Sequence, residues 1–150
     1  MMRWIDLPPV WLAAFVALSW LQARFWSLGL SLDFPVTQAM AGLCIGGGVI
    51  LMLLAVVEMR RHNTTVIPHR DANRLVQSGI FKRTRNPIYL GDVLVLLGLI
   101  LRFDAVLSLL FVPVLVWLLE RRFIVPEENR LRRRFREEYA LYISRVRRWV

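Results

Sequence analysis

Two places in this chain carry residues whose types and spacing could do chemistry. The first is Arg85-Asn86-Pro87-Ile88-Tyr89-Leu90-Gly91-Asp92. Asparagine favours a helix N-cap and proline the first helical position, so a helix is predicted to start at Pro87. Its free N–H groups and positive dipole end would favour an anionic group there, such as a ligand carboxylate. Tyr89 and Asp92 stand three apart and share a helix face. Asp92 sits about one and a half turns into an apolar run. An ionisable side chain at that depth either has a function or pairs with a nearby arginine or interfacial hydrogen-bond partner. The second place is Glu127-Glu128, directly after Pro126. Acids in a first helical turn can simply complement the dipole. A carboxylate can also accept two hydroxyl hydrogen bonds, as a ribose offers, or attract a cation.

Other chemistries find no residues. Cys44 is the only cysteine, and His62 and His69, the only histidines, have no metal-ligand spacing. No nucleophile–histidine–acid arrangement, Walker loop or dinucleotide fingerprint stands out, since Gly46-Gly47-Gly48 falls inside an apolar stretch.

The elements that must position these residues follow from composition. Of 150 residues 57% are hydrophobic, yet the formal charge is +9, and mean hydropathy is +0.49. Disorder and a disulfide scaffold are excluded by the apolar content and the single cysteine. An integral membrane protein with its charge outside the bilayer remains. Crossing about 30 Å of hydrocarbon takes roughly 20 helical residues. Four stretches qualify: Pro8 to Leu28, Val36 to Val57, Ile88 to Leu101 (short, and containing Asp92), and Asp104 to Ile124. Only Arg102 and Phe103 separate the last two, which predicts a tight helical hairpin.

From Pro126 onward Leu131, Phe135, Tyr139, Tyr142 and Val146 recur at spacings of three and four, with arginines between them. This is an amphipathic helix, suited to the membrane surface or to packing as a lid on the other helices. Gly42 and Gly46, extended by Gly47 and Gly48, predict close helix packing in the second span, where Cys44 is a small core residue. The fold class is thus all-α: one polytopic domain, 1–150, with about four transmembrane helices and a C-terminal amphipathic helix. Residues 1–57 form two spans and 58–150 the functional core.

If the N-terminus is cytoplasmic, every Lys and Arg except Arg24 and Arg102 lies inside. Both termini and the loop 58–85 are therefore expected on the cytoplasmic side, in what is taken to be a bacterial inner membrane. The same rule explains the bases without nucleic acid. The loop itself holds Val66, Ile67, Leu75, Val76, Ile80 and Phe81, so it is expected to fold back onto the protein rather than stay solvated.

Leu75-Val76-Gln77-Ser78-Gly79-Ile80-Phe81, then Arg85-Asn86-Pro87-Ile88-Tyr89-Leu90-Gly91, then Glu127-Glu128 with Leu131, Phe135, Tyr139 and Tyr142, resemble the isoprenylcysteine carboxyl methyltransferase and phospholipid methyltransferase superfamily. The likeness covers about Val66 to Trp149. It implies a membrane enzyme that uses S-adenosylmethionine and methylates a lipid-like or amphipathic acceptor by O- or N-methyl transfer. It further implies that Asn73, Leu75, Val76, Gly79, Phe81, Asn86, Pro87, Tyr89 and Glu127 line the cofactor, with Glu128 beside them. The isoprenylcysteine branch has histidine at the positions of Asn73 and Asn86, so the likeness does not extend to its substrate. That branch also has a substrate-binding arginine at the position of Phe123; Arg121 and Arg122 are its neighbours here. Asp92, Glu128 and Arg122 are the candidate catalytic residues, the acids because an amine acceptor must lose a proton. Sterol reductases carry a related segment, so a nicotinamide-dependent enzyme is an alternative, as is a non-catalytic protein that binds lipid or a partner.

Overall fold

The computed structural model describes residues 7–64 and 75–150. Every regular element among them is helical: α1 (Pro8–Phe25), α2 (Pro35–Arg61), a 3-10 turn (Gly79–Lys82), α3 (Pro87–Phe103), a second 3-10 turn (Val106–Leu110), α4 (Phe111–Leu119), a π turn (Glu120–Ile124) and α5 (Val125–Arg145). Proline opens α1, α2 and α3, where its missing N–H costs nothing.

Among the described helices only α2, with 27 residues, is both long and apolar enough to cross a membrane. The other three stretches fall short for local reasons. Helix α1 stops at Phe25 and contains Gln22 and Arg24. Helix α3 has 17 residues. The fourth stretch is broken into 3-10, α and π segments. Its polar interruption is satisfied internally: Gln22 Oε1 accepts from the Ser108 N–H at 3.2 Å and the Ser108 hydroxyl at 2.8 Å.

Helices α2 and α3 form the most extensive helix pair. The contact runs along Ala41, Gly48 and Ala55, all buried and seven apart. A Cβ on Gly48 would lie 2.7 Å from the Gly91 carbonyl, and one on Gly91 would lie 2.6 Å from the Gly48 carbonyl. Backbone meets backbone there. Of the four glycines expected to pack, Gly48 does, whereas Gly42, Gly46 and Gly47 have nothing within 4 Å of an added Cβ. The small-residue stripe therefore lies one helix face away from the GxxxG pair, and Leu43, Ile50 and Leu53 on the far side are exposed.

The opposite face of α3 presents Tyr89, Leu96 and Ile100 to Leu115, Leu119, Phe123 and Ile124, with Trp11, Leu12, Phe15 and Val16 of α1 packed against them. The hairpin after α3 is as tight as expected. Asp104 turns it at φ 57, a conformation that aspartate tolerates better than most residues. Its carboxylate accepts from the Ser31 hydroxyl at 2.6 Å and the Leu32 N–H at 2.7 Å, tying the α1–α2 connection to this end.

The amphipathic stripe of α5 points inward. Tyr139, Tyr142 and Val146 are buried against Leu75, Phe81, Leu131 and Phe135, and the Tyr142 hydroxyl donates to the Phe81 carbonyl at 2.7 Å. The loop after α2 does fold back, and it is α5 that receives it. Val66 and Ile67 lie outside the described residues.

The glycine contacts make a prediction. Gly48→Leu must push two backbones apart and should destabilise the protein by about 1–3 kcal/mol. Gly46→Ala should be neutral or stabilising by up to about 1 kcal/mol, because it meets open space and favours helix. Thermal unfolding in detergent distinguishes the two.

Candidate functional site

The start of α3 and the start of α5 meet at one hydrogen bond. Tyr89 is on the first turn of α3 and Glu127 on the first turn of α5. The Tyr89 hydroxyl donates to Glu127 Oε1 at 2.9 Å. The Tyr89 ring stacks on Phe123 of the π turn, with centroids 6.2 Å apart and planes inclined by 24°. The ring is therefore fixed on one side by packing and at its tip by the acid. Burial pushes the Glu127 carboxyl up to about 7, against the pull of the Tyr89 hydrogen bond and the Arg130 guanidinium.

Glu128 does different work from its neighbour. It is buried and accepts a forked pair of bonds from Arg148, Nε to Oε1 and Nη2 to Oε2, both at 2.9 Å. Arg85 stands 3.4 Å from the same carboxylate. Such bidentate, charge-assisted geometry is the strong form of an ion pair.

Asn86 occupies the N-cap position, but its side chain makes no capping bond. Its amide instead donates to the Arg148 carbonyl at 3.1 Å. The segment after α5 thus lies across the start of α3, and the expected side-chain cap is replaced by a contact from a segment about 60 residues away.

Asp92 is 4% exposed. Its Oδ2 is buried with no hydrogen-bond partner. Arg130 Nη1 is likewise buried without one. Buried polar atoms are normally paired; here an acid oxygen and a guanidinium nitrogen near the Tyr89–Glu127 bond are not, and Arg85 Nε is a third such atom.

The remaining sequence candidates separate. Val76 and Pro87 are buried. Leu75 and Phe81 pack on the α5 tyrosines. Gly79, at φ 60, brings the loop against Glu58, whose Cγ and Cδ lie 2.6 Å from where a Cβ would stand. Arg122 is exposed and stacks over the Trp11 ring at 5.5 Å, on the α1 side of the π turn. Asn73 lies outside the described residues.

One constellation had only part of its signal in the sequence: Glu58 and His62 stand four apart and approach to 3.9 Å, but the residue between them comes from distant chain. The Ser78 hydroxyl donates to Glu58 Oε2 at 2.8 Å and meets His62 Nε2 at 2.8 Å. The hydroxyl sits between base and acid. A nucleophile would need histidine in the middle, so this cluster pins the loop to the end of α2. Residues 16 and 20 apart share no helical or strand period, which is why spacing did not reveal it.

The raised Glu127 carboxyl predicts a pH dependence. Unfolded, glutamate titrates near about 4.3. The folded state therefore binds more protons between there and about pH 7, and stability falls as pH rises through that window. The fall should reach no more than about 4 kcal/mol, and Glu127→Gln should flatten it. Thermal unfolding of both chains from pH 4 to 8 measures the difference.

No curated protein and no solved structure matches the chain. A family model described as phospholipid methyltransferase matches residues 36–138. The matched region begins at the start of α2, takes in the loop and all of α3, and ends beyond Glu127 and Glu128 on α5. With both acids and the Asn86–Tyr89 turn inside a match over most of its length, the chain belongs to the phospholipid methyltransferase family.

Proposed function

We propose that this protein is an S-adenosylmethionine-dependent membrane methyltransferase that acts on a lipid-like or amphipathic acceptor at the cytoplasmic face. The observation that carries the reading is the Tyr89–Glu127 bond at the mouth of the bundle, flanked by unpaired polar atoms of both signs. Glu127 suits a ribose or an ammonium group, Asp92 a cationic centre, and Arg130 a carboxylate. A ligand that carries all of these at once fits that set.

S-adenosylmethionine, when bound, supplies the electrophilic methyl group. The protein's share is alignment and exclusion of water. Asn73, Leu75, Val76, Gly79 and Phe81 would line the cofactor from the loop, and Asn86, Pro87 and Tyr89 from the start of α3. Glu127 would hold its polar groups. Asp92 is the residue placed to take a proton from an amine acceptor; a carboxylate acceptor would need no base. Glu128 would act through its ion pairs, and Arg122 on the acceptor's side of the π turn. All four apolar stretches would cross the membrane, the short ones beside α2, with both termini and the loop 58–85 inside. The acceptor's tail could then enter sideways from the lipid while the cofactor arrives from the cytosol.

Titration calorimetry in detergent tests the cofactor. S-adenosylhomocysteine should bind at micromolar concentration. Glu127→Ala should weaken it by about 10- to 100-fold and Tyr89→Phe by about 5-fold, the ranges for a charged and a neutral hydrogen bond. Binding of NADPH instead would replace this reading with a reductase; binding of neither would leave a non-catalytic protein. Orientation has its own measurement: a reporter joined after Val150 should be active only in the cytoplasm. The acceptor class can be read by incubating membranes with methyl-labelled cofactor and total lipid extract, and looking for label in the organic phase.

A further inference from the structure

The helix that leaves the bundle does not run straight into α5. Between α4 and α5 it widens into the π turn Glu120–Ile124. A π turn holds one residue more than an α turn, so everything beyond it is offset by one position, roughly 100° about the axis. Pro126 supplies a cause. In a straight α-helix it would offer no N–H to the Arg122 carbonyl, and its ring would strike that carbonyl. Proline forbids only the straight helix, however, and a kink would satisfy it as well as a widened turn.

Two residues from the segment after α5 bridge the turn. Trp149 Nε1 donates to Glu120, the turn's first residue, at 2.7 Å. Arg148 stands 3.7 Å from that carboxylate and holds both oxygens of Glu128 beyond the turn. Their own backbone is tied down. The Arg148 carbonyl accepts from Thr84 at 3.2 Å and Asn86 at 3.1 Å, and the Arg147 carbonyl accepts from the Arg85 N–H at 3.0 Å. Trp149 also packs against the cluster that contains Tyr89 and Phe123.

The offset decides which residue meets Tyr89. With the extra residue in place, Glu127 does, and Glu128 turns to Arg148 and Arg85. Without it, each residue beyond the turn would rotate into its neighbour's place. Pro126 would face Tyr89, and Glu127 would stand where Glu128 stands. We propose that Arg148 and Trp149 are positioning residues that staple this one-residue offset and so keep Glu127 on Tyr89. Its consequence for catalysis rests on the methyltransferase reading; the offset itself does not.

The test pairs a staple-free chain with a chain that needs no staple. The first carries Arg148→Gln and Trp149→Phe. The second adds Pro126→Ala and deletes Arg121, an exposed residue of the turn, so that a plain α-helix delivers both acids to their native places. In a Cys44→Ser background, Tyr89→Cys with Glu127→Cys reports the register through a short bifunctional thiol reagent. Cross-linking should be efficient with the staple intact, fall at least about tenfold without it, and return in the deletion chain. S-adenosylhomocysteine affinity, measured without the cysteine pair, should follow the same order, with a loss of about tenfold or more. Full cross-linking in the staple-free chain would overturn the proposal. So would a deletion chain of native helix content that stays uncross-linked. If the native chain binds no S-adenosylhomocysteine, the cofactor reading fails, and the cross-linking still decides the offset.

Discussion

The forked ion pair between Arg148 and Glu128 is the contact on which the rest of this site depends. It joins the segment after α5 to the first turn of α5, and Arg85 brings the start of α3 to the same carboxylate. Two guanidinium groups on one buried acid would leave excess charge, and the Glu120 carboxylate beside Arg148 balances it. A buried pair of this kind is weak evidence for stability, since well-packed apolar groups would often serve as well. Its value lies in specificity: removing one partner leaves the remaining charges of the cluster unbalanced, so alternative packings of these segments are penalised. That fits a place where a shift of one residue would exchange the duties of two adjacent acids.

The two acids show how environment separates identical side chains. Glu127 bonds a neutral hydroxyl and has one guanidinium, Arg130, acting on it, and burial dominates, so its carboxyl is raised to about 7. Glu128 faces two arginines. Proximity in sequence says nothing of this division. The widened turn and the chain that bridges it impose it.

Much of the fold was legible because periodicity and punctuation act locally. Pro8 and Pro87 mark two helix starts, the apolar runs mark the rods, and the three-and-four spacing of Tyr139, Tyr142 and Val146 marks the inward face of α5. The pairing of the Tyr89 turn with Glu127 was legible only through the family resemblance, which puts both in one cofactor lining. What stayed hidden was every contact that joins distant chain. Nothing near Arg148 or Trp149 signals that they reach Glu120 and Glu128, and nothing near Ser78 points to Glu58. The GxxxG pair misled for a related reason. Gly42 and Gly46 show that two helices could approach, but only tertiary packing decides which face they use, and α3 took the face of Gly48 because Gly91 and Gly98 lie opposite it.

Asp92 ties packing to function. It lies on α3 one turn inward from Tyr89, buried, with one oxygen unpaired. The α2 side of α3 is closed by backbone contact at Gly48 and Gly91, the residue before Asp92. The first turn of the same helix is tied to α5 through Tyr89 and Glu127. The helix that carries the buried acid is therefore held by close glycine packing toward α2 and by the junction that the staple keeps in register.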